Sequence, residues 1–290
     1  MIPFSIPANL ASSCARSPVR ATWLDVIPRV IGELTTRWSL KIAPPFEGDD
    51  VSCAWVAPAT RRDGTSVVLK LGMPHFEGEQ EIAGLRLLKG YPTVHLLEAD
   101  ENLNAMLLER CIPGTSLRAL AEPEQDVIIA GLLRRFWRPP PSNSTFGHLS
   151  EMLTHWSEET RRNEARWHDA GLVRAGLRTF EEMGVAAASD VLLVTDLHAG
   201  NVLRAEREPW LVIDPKPFVG DRAYDATQHL LNCRERLRSR PDETIKSVAD
   251  LLEVDHERVW RWTFARLAAE PRDNWDDEST ALARIVDRQR

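Results

Sequence analysis

The stretch VTDLHAGN occupies residues 194–201, and VIDPK follows at residues 212–216. Each includes or follows a short apolar run, which is typical of a strand that releases a polar side chain into a loop. Asp196 stands five positions before Asn201, and Asp214 follows thirteen positions after Asn201. Two carboxylates and one amide are therefore expected at the ends of two strands. The predictions below for the rest of the chain depend on this combination.

Each of the three side chains suits a separate task in phosphoryl transfer. A carboxylate at a strand end, such as Asp196, can accept the proton of a substrate hydroxyl as a general base. Asn201 and Asp214 offer the hard oxygen ligands that Mg²⁺ takes beside phosphate oxygens and water. Kinase-type phosphotransferases space their catalytic Asp, metal-binding Asn and metal-binding Asp in this way. Taken singly, each residue is more typical of an ordinary turn or helix cap, so the prediction depends on the combination.

A lysine at the end of an apolar strand is a further candidate. Lys70 follows the run at residues 66–69, and a Lys at an inward strand position is uncommon unless it is paired. In kinase-type enzymes such a Lys binds the α- and β-phosphates of the nucleotide. Its expected partner on the next helix is Glu81, with Glu77 and Glu79 as rivals. Solvated side chains at a strand end and on a helix surface are the alternative interpretation.

The segment LLERCIPG at residues 107–114 leads from the last strand of the first part into the rest of the chain. It is placed like a hinge. Backbone groups of Glu109 and Cys111 are candidates for binding the edge of an adenine ring. A plain linker between domains would look the same, and the two interpretations are compatible.

Hydrophobic periodicity divides the chain into a strand-rich part and a helix-rich part. In the first part it predicts helices at 20–39 and 76–89 and strands at 51–58, 65–71, 93–98 and 105–109. In the second part it predicts helices at 116–138, 149–169, 172–187, 222–238, 242–252, 255–269 and 277–288, with short strands at 191–194, 202–205 and 210–213. We therefore expect an α+β fold of two lobes with a cleft between them, a nucleotide-binding lobe at 1–111 and a catalytic, substrate-binding lobe at 112–290.

Composition limits the partners. A formal net charge of −7 over 290 residues disfavours nucleic acid and favours a cationic small molecule. The four cysteines lie far apart with no C-x-x-C pair, so we expect neither a zinc site nor a disulfide framework. No apolar run is long enough to cross a bilayer, and the N-terminus lacks the positive charge of a signal peptide. These features predict a cytoplasmic monomer or dimer without nucleic-acid or membrane partners.

Six segments together resemble the aminoglycoside phosphotransferase family, which shares the protein-kinase-like fold. The closer resemblance is to its streptomycin 6-kinase and hydroxyurea phosphotransferase branch. The segments span about residues 45–230, and the most specific are DLHAGNVL at 196–203, IDPKP at 213–217 and VGDRAYD at 219–225. In the family pattern, the two Asp of VGDRAYD brace the catalytic segments.

The resemblance implies a role for each candidate residue. Asp196 would be the catalytic base, Asn201 and Asp214 the Mg²⁺ ligands, and Lys70 the phosphate anchor with Glu81 as its partner. It also implies ATP as the phosphate donor, or GTP as in some relatives, and a polyhydroxylated, cationic acceptor. Catalysis would consist mostly of positioning and charge stabilisation, without a covalent intermediate.

The chain departs from the family pattern in two places. Val194 and Thr195 stand where the family usually has His-Gly before the catalytic Asp, and that His normally braces the loop. The loop that covers the phosphates also lacks a G-x-G-x-x-G pattern. Gly48 and Ser52 are the nearest small residues, and Ser52 is counted among the nucleotide-binding candidates.

The acceptor is expected beside Asp196, where acidic side chains would attract ammonium or guanidinium groups. The candidate acids, each more ordinary as a solvated helix surface, are Glu158, Glu159, Glu235, Asp242, Glu243 and the run DNWDDE at 273–278. Within that run, Trp275 is a candidate for stacking on a sugar or guanidinium. Three functions remain open: an antibiotic O-phosphotransferase of the streptomycin type, a metabolic small-molecule kinase, and a catalytically silent nucleotide-binding protein.

Overall fold

The structure, a computed structural model, describes residues 5–48, 53–142, 145–272, 274–275 and 277–288. Its helices are α1 (Ala8–Cys14), α2 (Pro18–Arg37), α3 (Glu81–Leu88), α4 (Glu122–Phe136), α5 (Leu149–Arg162), α6 (Ala170–Met183), α7 (Arg222–Asn232), α8 (Arg234–Ser239), α9 (Pro241–Leu252), α10 (His256–Ala269) and α11 (Glu278–Arg288). Its strands are β1 (Leu40–Ile42), β2 (Ala54–Arg61), β3 (Ser66–Gly72), β4 (Leu96–Asp100), β5 (Ala105–Glu109), β6 (Val191–Leu193), β7 (Val202–Arg204), β8 (Trp210–Val212) and β9 (Phe218–Gly220).

The chain divides into two compact units. The first contains Met1–Ser116 and Leu203–Asp214, and the second contains Leu117–Val202 and Pro215–Arg290. The lobe predicted from the sequence ended at residue 111 and included no later segment, whereas residues 203–214 return to the first unit. This return brings Asp214 into the same unit as the large β-sheet.

The first unit is built on an antiparallel sheet with strand order β1-β2-β3-β5-β4. Strands β2 and β3 pair along their length, from Ala54 opposite Gly72 to Thr60 opposite Ser66. Their turn is stabilised by Asp63, whose carboxylate accepts the Thr65 N–H at 2.9 Å. The predicted hairpin is therefore confirmed.

Successive residues of β3 face opposite sides of the sheet. Val67, Leu69 and Leu71 pack in one core with residues of α1 and α2. Val68 packs in a second core with residues of α3. Lys70 has the same parity as Val68, so the period of two places its side chain on the α3 side of the sheet.

Helix α10 forms the centre of the second unit, and its residues from 262 to 269 are all buried. Helix α6 approaches it closely, because a Cβ at Gly176 would lie 2.8 Å from the Cβ atoms of two alanines of α10. Trp262 is fully buried and meets Tyr224 of α7 edge-on, with ring centroids 5.2 Å apart. The core of this unit is thus helix on helix, as the periodicity predicted.

Several predicted element bounds change for local reasons. The helix expected at 222–238 is two helices, α7 and α8, which meet at Cys233. The helix expected at 76–89 begins as a separate 3₁₀ turn, Phe76–Gly78, before α3. Three short elements were not predicted from the sequence: α1, of 7 residues, and β1 and β9, of 3 residues each. Among the described residues, no helix has the length and apolar character needed to span a membrane.

Candidate active site

Lys70 lies at the centre of a buried ion-pair cluster in the first unit. Its Nζ donates to Glu81 Oε1 at 2.6 Å, to Glu81 Oε2 at 2.7 Å and to Asp214 Oδ1 at 2.8 Å. The Lys70 and Glu81 side chains are 8% and 4% exposed. Burial alone disfavours the ammonium, but the charges of Asp214 and Glu81 outweigh it and raise the pKa of Lys70. Lys70 therefore carries its charge at neutral pH.

Two local features bring the carboxylates to Lys70. Glu81 is the first residue of α3, where the helix dipole favours a negative charge. Strand β8 is held beside residues 92–94 by hydrogen bonds from the Val212 N–H to the Pro92 carbonyl and from the Val94 N–H to the Val212 carbonyl, each 3.0 Å long. Asp214, two residues beyond that strand, has a left-handed backbone with φ of +54°.

Asp196 follows β6 in the second unit, and both of its carboxylate oxygens have a partner. Oδ2 accepts from Lys216 Nζ at 2.5 Å, and Oδ1 accepts from Gln228 Nε2 at 2.7 Å. The Asp196 side chain is 19% exposed. The carboxylate is thus oriented by two donors and still reaches solvent.

The backbone of the two residues before Asp196 is held by hydrogen bonds to Asp225 of α7. Its buried carboxylate accepts the Val194 N–H at 3.1 Å, the Thr195 N–H at 2.8 Å and Trp137 Nε1–H at 2.8 Å. Thr195 has φ of +51°, a conformation that costs a β-branched residue about 1–3 kcal/mol. The Asp225 hydrogen bonds offset this strain, so the Val194-Thr195 departure from His-Gly leaves the loop braced.

We expect the stability that depends on Asp225 to change near pH 6. Burial raises the pKa of Asp225 to about 6, although its three N–H donors oppose the shift. Because the folded pKa is raised, the native state takes up a proton before the unfolded state, and this contribution to stability is lost as pH rises through 6. Relative to Asp225→Asn, the native protein should gain about 1 kcal/mol of unfolding free energy between pH 7 and pH 5. Denaturant unfolding at both pH values measures this, and an unchanged difference would contradict it.

Asn201 ends the 3₁₀ turn Ala199–Asn201 that follows Asp196. Its Nδ2 donates to the Asp196 carbonyl at 2.9 Å, and its N–H donates to the His198 carbonyl at 2.9 Å. Because the amide nitrogen serves as the donor, the amide oxygen is the atom that suits a cation.

Glu109 ends β5 at the predicted adenine-binding segment, and its side chain is held by Arg207. Arg207 Nε and Nη2 donate to the two carboxylate oxygens at 3.0 and 2.8 Å, and the His95 N–H also donates to this carboxylate at 2.9 Å. Burial opposes ionisation of Glu109, but the hydrogen bonds from Arg207 outweigh it and lower the pKa. The Glu109 N–H itself donates to the His95 carbonyl at 2.9 Å.

Of the two remaining nucleotide-binding candidates, Cys111 and Ser52, the structure describes only Cys111. Cys111 is buried, and burial raises the pKa of its thiol to about 11, so this side chain stays neutral. Ser52 lies outside the described residues. Gly48, the other small residue considered for the phosphate loop, is exposed with φ of +145°.

Sequence reasoning missed three residues that support Asp196, namely Lys216, Gln228 and Arg266. Gln228 lies on α7, and Arg266 lies on α10 with 4% exposure. Arg266 Nη2 donates to Gln228 Oε1 at 2.6 Å and so fixes the amide that donates to Asp196. Arg266 also pairs with Glu270 at 2.9 Å. The signal available in the sequence was one arginine, Arg266, within the mostly apolar run at residues 262–269.

A cavity of about 330 Å³ in the second unit adjoins these residues. Gln228, Arg266 and Glu270 line it together with Arg272 and Asp277, and the Arg272 and Asp277 side chains are 3.4 Å apart. Asp277 belongs to the predicted acidic run, and Asp273 and Asp276 lie outside the described residues. The cavity therefore shares a wall residue, Gln228, with the hydrogen-bond shell of Asp196.

Two of the other acceptor candidates have local partners. Glu235 pairs with Arg238, and Glu243 pairs with Arg240, both on exposed helix surfaces. The stacking interpretation of Trp275 is wrong, because the ring is 2% exposed and the Arg272 guanidinium lies 4.3 Å from its centroid. Its ring face is occupied by the protein itself.

Solved structures of small-molecule kinases share this fold. A choline kinase from Streptococcus pneumoniae has a TM-score of 0.63 at 12% identity, covering 90% of this chain and 97% of that one. An aminoglycoside phosphotransferase from Streptomyces rimosus, solved with ADP and streptomycin, has a TM-score of 0.57 at 16% identity, covering 82% and 96%. The chain thus has the predicted α+β, protein-kinase-like fold, with an antiparallel sheet in one unit and mostly helices in the other.

Sequence comparison then defines the family. The aminoglycoside/hydroxyurea antibiotic resistance kinase family matches residues 37–277. Streptomycin 6-kinase of Streptomyces griseus is 33% identical, covering 96% of this chain and 93% of the relative. Hydroxyurea phosphotransferase of Kitasatospora aureofaciens is 33% identical, covering 90% and 78%. The chain belongs to this family and is a phosphotransferase with an alcohol group as acceptor, which confirms the resemblance.

Proposed function

We propose that this enzyme transfers the γ-phosphate of ATP to a hydroxyl group of an aminoglycoside, and that streptomycin is the acceptor. The observation that carries the proposal is the position of Asp196, an oriented carboxylate whose partner Gln228 also lines a cavity of about 330 Å³. The choice of streptomycin is supported by relatives from two Streptomyces species, both streptomycin 6-kinases at 33% and 32% identity over 96% of this chain.

Asp196 acts as the general base. An acceptor hydroxyl within hydrogen-bond distance of its carboxylate would donate its proton as the oxygen attacks phosphorus. Gln228 and Lys216 hold the carboxylate in one orientation, and the lone pairs not used by these donors remain available to the acceptor hydroxyl. Little covalent chemistry is asked of the protein, and positioning supplies much of the rate.

Lys70 anchors the nucleotide phosphates, with Glu81 holding its ammonium in place. Asn201 and Asp214 are the proposed Mg²⁺ ligands, and their amide and carboxylate oxygens fit the hard-oxygen preference of this ion. An ion held by these two residues would supply positive charge that offsets the negative charge of the nucleotide phosphates. The ion pair of Lys70 with Asp214 connects the phosphate anchor to one of these ligands.

The adenine edge is assigned to the backbone around Glu109 and Cys111. Because the Glu109 N–H already donates to the His95 carbonyl, the proposal uses the Glu109 carbonyl and the Cys111 backbone. Arg207 holds this segment by its pair with Glu109 and by hydrogen bonds to the carbonyls of Gly90 and Thr93 at 2.9 and 3.0 Å. We also propose that the enzyme acts in the cytoplasm, where ATP is available as the phosphate donor.

The charges of the cavity wall support a second candidate for the acceptor. The wall carries three arginines and two carboxylates. The carboxylates, Glu270 and Asp277, each already face an arginine. A guanidinium of streptomycin would have to exchange with those arginines, whereas a small neutral acceptor would not. This observation favours hydroxyurea, or a metabolite of similar size, as the second candidate.

A coupled assay of ADP release with Mg-ATP decides between the acceptors. Streptomycin, other aminoglycosides and hydroxyurea are compared by kcat/KM, with GTP in place of ATP as a parallel series. Turnover with streptomycin, and none with hydroxyurea at the same concentration, is the expected result. Phosphorylated streptomycin in the product, detected by mass spectrometry, would exclude stimulated ATP hydrolysis.

Two results would overturn the proposal. Higher kcat/KM with hydroxyurea than with streptomycin would move the function to the second candidate. Turnover with neither, in a protein that still binds Mg-ATP by calorimetry, would require a different acceptor class. Full streptomycin turnover in Asp196→Asn would overturn the assignment of the base while leaving the acceptor intact.

A further inference from the structure

Lys216 makes a direct charged contact with the proposed base. Its Nζ lies 2.5 Å from Asp196 Oδ2, and the two side chains are 15% and 19% exposed. A hydrogen bond between two ions is shorter and about twice as strong as a neutral one. The other carboxylate oxygen is held by the neutral amide of Gln228. Of these two partners of the carboxylate, Lys216 is the one that brings a full positive charge.

The backbone of Lys216 is fastened to the two residues that precede Asp196. Its N–H donates to the Val194 carbonyl at 3.1 Å, and its own carbonyl accepts from Thr195 Oγ1 at 2.6 Å. Thr195 is in turn held by its N–H bond to Asp225. The segment that carries the cation and the segment that carries the base are therefore one hydrogen-bonded assembly.

Thr195 supplies a contact that glycine cannot supply. The φ of +51° at this position suits glycine, which is the residue that the family pattern has here. Glycine has no hydroxyl, so it leaves the Lys216 carbonyl without this donor. In this chain Thr195 adopts a backbone conformation that is unfavourable for a β-branched residue, and its hydroxyl connects the backbone of Lys216 to the residues that precede Asp196.

The buried arginine nearby has a different position. Arg266 is linked to Asp196 by hydrogen bonds through Gln228, and it also donates to Thr227 Oγ1 at 2.9 Å and pairs with Glu270. Arg266 is 4% exposed and lies among the buried residues of α10. Lys216, by contrast, touches the reacting carboxylate from a partly exposed position.

We propose that Lys216 is a further catalytic residue, and this inference rests on the proposed role of Asp196 as base. Before transfer, Lys216 orients the carboxylate. During transfer the acceptor O–H bond breaks with its proton passing to Asp196, the acceptor oxygen bonds to the γ-phosphorus, and the bond to the bridging oxygen breaks with its electron pair left on ADP. As Asp196 becomes neutral, the Lys216 ammonium loses its anionic partner and stabilises the negative charge of the transferring phosphoryl group.

The test compares Lys216→Met and Lys216→Arg with the native enzyme, with Lys246→Met as the control. Lys246 is 58% exposed and pairs with Asp250 one helical turn away. We expect Lys216→Met to lower kcat about a hundredfold, the usual effect of removing one transition-state donor. KM values should stay within about threefold, since ground-state binding is retained. Lys216→Arg, which keeps the charge, should recover part of kcat.

A binding measurement separates catalysis from a merely structural role. Aluminium fluoride with Mg-ADP mimics the transferring phosphoryl group. Lys216→Met should weaken binding of this complex by about the factor lost in kcat, with Mg-ADP affinity unchanged. Equal kcat in Lys216→Met and the native enzyme, or a parallel loss of Mg-ADP affinity, would overturn the inference. If the native enzyme does not phosphorylate streptomycin, the proposed acceptor fails, and the same comparison on ATP hydrolysis by water still decides the role of Lys216.

Discussion

Asp196→Asn should lower kcat by about a thousandfold, within the range for loss of a general base. The amide has nearly the same shape as the carboxylate but cannot take the proton of the acceptor hydroxyl. It also replaces one partner of Lys216 Nζ, which lies 2.5 Å from the carboxylate in the native protein. Steady-state kinetics with Mg-ATP and streptomycin measure the loss, and calorimetry should show Mg-ATP affinity changed by less than about threefold.

Stability and a matched variant provide the controls for this substitution. The Lys216 and Asp196 side chains are 15% and 19% exposed, so the pair is largely buried, and replacing its carboxylate by an amide should cost about 1–3 kcal/mol of unfolding free energy. Glu206→Gln removes an exposed carboxylate from the first unit and should leave kcat unchanged. A kcat for Asp196→Asn within tenfold of the native value would rule out Asp196 as the base.

Lys70→Met should lower the free energy of unfolding and raise KM for ATP. It leaves Glu81, 4% exposed, as a buried carboxylate and Asp214, 30% exposed, as a partly buried one, both without their cation. Breaking one side of a buried ion pair typically costs about 3–5 kcal/mol of unfolding free energy. KM for ATP should rise more than tenfold, because the side chain proposed to bind the phosphates is gone. Denaturant unfolding and steady-state kinetics measure the two effects.

A double variant separates the two effects of Lys70. Lys70→Met with Glu81→Leu removes the two most buried charges and leaves only Asp214, 30% exposed, without its cation, so part of the lost stability should return. Activity should not return, because the phosphate anchor is still absent. Lys41→Met, an exposed lysine on β1 of the same sheet, is the control and should change neither quantity. A stable Lys70→Met protein with native KM for ATP would contradict both the buried pairing and the phosphate role.

Much of the first unit could be predicted from short-range pattern. The β2–β3 hairpin follows from two apolar strands and the Arg62-Asp63-Gly64 turn, all within adjacent sequence. The side of the sheet reached by Lys70 follows from the period of two along β3. The choice of Glu81 over Glu77 and Glu79 also has a local cause, since Glu81 is the first residue of α3 and Glu77 lies in a separate 3₁₀ turn.

The residues that orient Asp196 could not be predicted in the same way. Gln228 is 32 residues from Asp196, and Arg266 is 38 residues from Gln228. The local sequence pattern of α7 and α10 does not predict that these helices pack with Gln228 and Arg266 in contact. The same holds for Arg207, which is 98 residues from Glu109.

The sequence by itself determined the secondary structure of the longer elements, the family and the chemical types of the candidate residues. These depend on periodicity, turn residues and spacing, which act over a few positions along the chain. Only the tertiary structure decided that residues 203–214 return to the first unit, that Arg272 covers Trp275, and that Lys216 and Gln228 hold Asp196. Such contacts join distant segments, and their energies depend on burial and exact packing that no local pattern records.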